Sequence, residues 1–217
     1  PLDAVTPGGL ACVSGLPPDF DLPDPLDEGA RRAALAKWIT DPRNTLTWRS
    51  IVNRVWHHHF GRGLVDSPND FGRMGGTPSH PELLDWLAVR FRDGGGSFKA
   101  LHRLIVTSAV YRQSTRHHPD HATVDAGNAL LWRMNRLRLD AESVRDAILQ
   151  ITGTLDLTMG GPSVMQFHFV DPDPNRTPTV DYARFDVDSP AARRRSVYRY
   201  IFRSGDDHVH HDVADGV

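Results

Sequence analysis

Asn53, His59, Asn69, Asp70, Arg73 and His80 all fall within one short run, NRVWHHHFGRGLVDSPNDFGRMGGTPSH, and each can bind a ligand or move a proton. Imidazole and carboxylate together suit zinc, manganese or iron, and they also suit general acid–base work. Spacing limits the metal option. His57, His58 and His59 are consecutive, so on a helix their side chains point about 100° apart and cannot all ligate one ion. A metal would need one or two of them, with Asp70 and His80 brought over by the intervening chain. The competing reading places the histidines at a helix C-terminus, against its last carbonyls. No metal site is assigned. Asp66, Asn69 and Asp70 can anchor a hydroxyl or close a turn around Pro68. Gly61, Gly63, Gly72, Gly75 and Gly76 either let backbone approach a ligand or make tight turns. Small-ligand contact, where there is any, is expected on the loop from Gly61 to Ser79, with the His117, His118 and His121 stretch as the second place.

Other groups lack a mechanism. Glu142 and Asp146 share a helix face at i, i+4, but Arg133, Arg136, Arg138 and Arg145 lie near enough to pair with them. Trp38, Trp48, Trp56, Trp86 and Trp132 could make a stacking platform or core. Gly94-Gly95-Gly96 lacks the Lys-Ser/Thr ending of a phosphate loop. Ser108 and Ser143 sit inside helical pattern without a nucleophile elbow. No catalytic residue is therefore assigned, and no cofactor is expected.

The elements that must position these residues are helices. The fold expected is mainly α: a single helical domain of about five main helices, a long irregular C-terminal segment and a short strand near the end. Asp27 caps a first helix stopped at Asp41-Pro42, and a second runs from about Thr45 to Phe60 and ends at Gly61. Ser79 and Glu82 read as a capping box opening a third, Ser97 caps a fourth, and Asp140 caps a fifth that ends at Gly153. Trp56, Leu84, Trp86, Leu87, Leu101, Ile105, Val144, Ile148 and Ile151 are expected to share one core. Residues 115–123 read as a His-rich loop, and the alternation over 195–203 reads as a strand.

Composition sets the class. The chain has 217 residues, 39% hydrophobic and 24% charged, which describes a globular protein. The net charge of −2 argues against nucleic acid as a partner. Cys12 is the single cysteine, so internal disulfides and Cys-based zinc sites are out. No apolar stretch reaches the roughly 20 residues that span a bilayer. The start at Pro1, with no signal segment, points to a piece of a longer protein. Residues 1–27 read as an extended Pro/Asp-rich linker, 28–204 as the helical domain, and 205–217 as an atypical, disordered tail left by truncation or an altered reading frame.

An ordered string of motifs now carries a resemblance. It comprises Asn53-Arg54-Val55-Trp56, His58 through Val65, Asn69-Asp70-Phe71-Gly72, and His80 through Leu87. It continues with Leu101 through Ile105, Tyr111-Arg112-Gln113-Ser114, Leu131 through Arg136, Leu139 through Glu142, Met159-Gly160-Gly161-Pro162 and Arg194 through Tyr198. Together these resemble the C-terminal PSD1 domain of planctomycete cytochrome-c-associated proteins, a domain of unknown function (DUF1553). The resemblance covers most of 28–204. It implies a periplasmic or cell-envelope setting within a larger exported protein, whose cytochrome-c-like and carbohydrate-related modules would be its partners. It implies no reaction.

Two functions are carried forward. The first is a non-catalytic interaction or scaffold domain. The alternative is a hydrolase or metal-assisted enzyme with a pocket between the second and third helices, lined by Asn53, His59, Asp70 and His80, and it requires those side chains to converge in space.

Overall fold

The computed structural model describes residues 5–170 and 179–202. Six helices follow in order: α1 Glu28–Thr40, α2 Thr45–Phe60, α3 Pro81–Asp93, α4 Phe98–Val106, α5 Pro119–Val124 and α6 Ala141–Ile151. A two-stranded antiparallel ribbon, β1 His168–Val170 and β2 Thr179–Asp181, pairs Phe169 with Val180. The protein is mainly α. The chain divides into two compact units, residues 1–137 and 138–217.

Local chemistry sets most helix ends. Asp27, Ser97 and Asp140 each accept a backbone N–H of the first turn of α1, α4 and α6. Gly61 ends α2 in the left-handed region at φ 73°, and its N–H donates to the His57 carbonyl. The chain between α1 and α2 turns on Asp41, whose carboxylate accepts both Nε and Nη2 of Arg43. That pairing holds the Asp41 pKa down at about 2.

Two local expectations need correction. The Ser79–Glu82 capping box does not form. The Leu64 carbonyl captures both Ser79 N–H, at 2.8 Å, and Ser79 Oγ, at 3.2 Å, and His80 takes the cap position without a side-chain capping bond to the helix. Within the 115–123 stretch, Pro119 starts the short helix α5, since its fixed φ suits the first helical position.

The core of the first unit lies between α2, α3 and α4. Val52, Val55, Trp56 and Phe60 from α2 meet Leu84, Leu87 and Phe91 from α3, and Leu101 and Ile105 from α4. Leu64 and Val65 from the loop complete it. Trp56 stacks on Phe60 with ring centroids 4.2 Å apart. Ahead of α1, residues 5–27 double back, with Gly9 N–H on the Pro18 carbonyl and Val13 and Leu16 buried.

The expected single core is not what forms. Trp86 is 49% exposed, because two residues along α3 from Leu84 is about 200° around the helix. Ile148 and Ile151 are 56% and 85% exposed, and Val144 is half-buried.

In the second unit, α6 is held by polar contacts. Arg145 donates to the carbonyls of Ala192 and Arg194, and Asp146 accepts the Ser196 N–H and hydroxyl. Ser196–Tyr198 forms a 3-10 turn, and the strand expected over 195–203 is not formed among its described residues, 195–202. A single bridge, Val164 to Arg199, marks those residues, and another, Asp156 to Arg194, lies just before them. Nearby, Phe167 packs edge-on against Phe169, Tyr182 and Tyr200 in a small aromatic cluster. Among the described residues, no helix is long and apolar enough to cross a membrane.

Candidate functional site

Asn53 faces the core from α2 and is 0% exposed. Its Nδ2 donates to the Val65 carbonyl at 2.9 Å, and the Val65 N–H donates to its Oδ1 at 2.8 Å. The side-chain amide thus pairs with the loop as a neighbouring strand would. Gly63 makes that approach feasible, since a Cβ there would lie 2.3 Å from the Val65 oxygen and 2.7 Å from Asn53 Nδ2.

The middle of the loop is closed by its own polar groups. Asp70 Oδ1 accepts the Gly72 N–H at 2.8 Å, an Asx-type turn. Ser67 Oγ donates to the Asp70 carbonyl and accepts the Gly76 N–H. Asn69 Oδ1 accepts from Arg54 Nη2 at 3.2 Å, and Arg62 pairs with Asp66. His80 Nδ1 is 3.0 Å from Ser79 Oγ. Arg73 is exposed and makes no hydrogen bond or ion pair with the described residues.

His59 turns elsewhere. Its Nε2 lies 2.7 Å from Nδ1 of His102 on α4, and its ring meets Tyr111 edge-on. Partial burial lowers the His59 pKa below the ordinary 6.5, helped by the neighbouring charges of His102 and His58. A depressed folded-state pKa means that the unfolded chain binds more protons between the two values. Stability from this contact is therefore fully present above the unfolded value of 6.5 and falls as pH drops through it. In an NMR titration His59 should ionise below 6.5, and below its value in a His102→Ala variant. A midpoint at or above 6.5, unchanged by that substitution, would show that the two rings do not interact.

Among the described residues no hydrogen bond or ion pair joins any two of Asn53, His59, Asn69, Asp70, Arg73 and His80. Nor do three His, Cys, Asp or Glu side chains come together as a metal-holding group among those residues. Five of the six serve separate local contacts, three of them in the α2–α3 loop. Glu142 and Asp146 likewise act in structure: the Glu142 carbonyl and the Asp146 carboxylate both take up Ser196.

Two clefts of the first unit lie elsewhere. A mostly apolar cleft of about 540 Å³ runs between the end of α3 and α4, past Phe91, Leu101 and Leu104. A second cleft, about 500 Å³, opens at the C-terminus of α2 and is lined by Arg62, Thr115, His117, Arg133, Asn135 and Arg136, among others. None of the six candidates lines either cleft. Asn135 is placed by buried Asn128, whose Nδ2 donates to Asn135 Oδ1, while Asn135 Nδ2 donates to the Phe60 carbonyl at the end of α2. Arg133 lies over the Trp132 ring, 5.1 Å from its centroid, and its Nε is shielded from solvent without an acceptor among the described residues.

Sequence reasoning treated these arginines only as ion-pair partners for α6. The missed signal is that residues 126–139 contain Arg133, Arg136 and Arg138 and no Asp or Glu.

A family model described as PSD1, protein of unknown function (DUF1553), matches residues 31–213 of this chain. Comparisons with curated proteins and with solved structures give no match.

Proposed function

The chain belongs to the PSD1 (DUF1553) family of proteins of unknown function, and from that footing we propose that it is a non-catalytic interaction or scaffold domain of a larger exported bacterial protein. In this reading its partners are the other domains of the same polypeptide, cytochrome-c-like and carbohydrate-related modules, in the periplasm or cell envelope. Nucleic acid is not proposed, because the net charge of −2 offers no general attraction to phosphate.

One observation carries the reading. Several polar residues of the recognised motifs bond to the backbone of other recognised motifs. Asn53 holds Val65, Gln113 donates to the Leu131 carbonyl at 2.9 Å, and Asn135 holds the Phe60 carbonyl. In the second unit Arg194 donates to the carbonyls of Gly160 and Pro162, and Gly160 N–H donates to Tyr198 Oη. Such an arrangement maintains a shape, as an interaction module requires.

Titrating the purified domain with the upstream part of the same polypeptide tests this. Saturable binding, with hydrogen-exchange protection confined to one face of the domain, is the expected result. The reading fails if no binding is seen and the domain instead turns over ester or phosphomonoester substrates with an activity lost in Asp70→Ala plus His80→Ala.

A further inference from the structure

We propose that the cleft at the C-terminus of α2 binds a doubly charged tetrahedral oxyanion: sulfate, phosphate or a phosphate monoester. The inference stands apart from the docking role, because it rests on different residues. Arg62, His117, Arg133 and Arg136 line the cleft, and among the described residues no carboxylate lines it. Arg62 is already paired with Asp66. Arg133 and Arg136 have no carboxylate partner among the described residues, although the chain carries 27 Asp and Glu against 25 Lys and Arg. In a slightly acidic protein, two unpaired guanidinium groups facing one opening need an explanation.

The chemistry of the lining fits an oxyanion. Guanidinium forks match tetrahedral oxyanions through paired N–H donors. Arg133 is stacked on Trp132, so its plane is set in advance and little side-chain freedom is lost on binding. Among the described residues, its guanidinium makes one hydrogen bond, a long one of 3.5 Å from Nη1 to the Met134 carbonyl. The Thr115 hydroxyl and the His117 imidazole add donors at the same opening.

The negative end of α2 opposes an anion here, but it amounts to roughly half a unit charge confined to the last turn. Asn135 covers its Phe60 carbonyl, and two full positive charges outweigh it. At about 500 Å³ the cleft exceeds what a bare ion fills, which leaves room for the organic part of a monoester.

Isothermal titration at constant ionic strength, with chloride as the balancing salt, tests the site using sodium sulfate, sodium phosphate and phenyl phosphate. Saturable binding of one anion per chain is expected, weakened at least tenfold in Arg133→Gln plus Arg136→Gln and unchanged in Arg31→Gln plus Arg32→Gln. Arg136 is exposed, so Arg136→Gln alone keeps the test valid should the double variant unfold, and a severalfold loss is expected from it. Tighter binding of phenyl phosphate than of phosphate assigns the monoester, and the reverse assigns the free ion. Non-saturating heats, or equal binding by the Arg136→Gln variant, mean an adventitious ion only and overturn the proposal.

Discussion

Asn53→Ala should destabilise the protein by about 4 kcal/mol, the largest single-residue effect expected outside the apolar core. The side chain is fully buried and bonds both the N–H and the carbonyl of Val65, itself 1% exposed. Removing the amide leaves both backbone groups buried without partners, at roughly 1–3 kcal/mol each, and adds a small cavity. Asn53→Asp should also be costly, because a buried carboxylate can accept from the Val65 N–H but repels its carbonyl. Urea denaturation followed by tryptophan fluorescence measures the shift in midpoint. A loss below about 1 kcal/mol for Asn53→Ala would mean that the loop does not depend on this pairing.

Leu87→Ala should cost roughly 2–5 kcal/mol, whereas Ile148→Ala should change stability by no more than about 0.5 kcal/mol. Leu87 is 2% exposed inside the α2–α3–α4 core, so truncation removes transfer energy and opens a cavity that close-packed neighbours cannot refill. Ile148 is 56% exposed on α6 and has little apolar contact to lose. The same denaturation experiment compares the two. Equal, large losses would place Ile148 in a core after all, and equal, negligible losses would place Leu87 on the surface.

The contrast between these residues shows what the sequence made legible. Helices were readable because their signals are local: Asp27, Ser97 and Asp140 as caps, Gly61 as a stop, and apolar residues at helical spacing. Burial was not, since an amphipathic stripe states that one face is apolar and not which surface will cover it. Leu87 and Ile148 lie on comparable stripes, yet only α3 meets two other helices. Ser79 illustrates the same limit from the polar side, as its capping role is displaced by the Leu64 carbonyl, fifteen residues away. For the candidate site, the Asx turn at Asp70 was readable because it closes over two residues. The His59–His102 contact and the arginine cleft depend on residues 43 and more than 70 positions apart, and no local pattern announces them.

The staple between Asn135 and the end of α2 has a kinetic consequence. The Asn53–Val65 pairing closes over 12 residues and can form as soon as α2 and its loop meet, whereas the Asn135–Phe60 bond closes over 75. Chain-closure entropy grows by about 0.6 kcal/mol per doubling of length, so the longer closure costs roughly 1.5 kcal/mol more before any contact repays it. The order of assembly follows: the consecutive helices α2, α3 and α4 condense first, around short loops, and the segment carrying Trp132 to Arg136 docks onto a core already made. Interactions formed after the transition state govern how fast a protein comes apart more than how fast it folds. The arginine cleft is therefore a late product of folding and an early loss on unfolding.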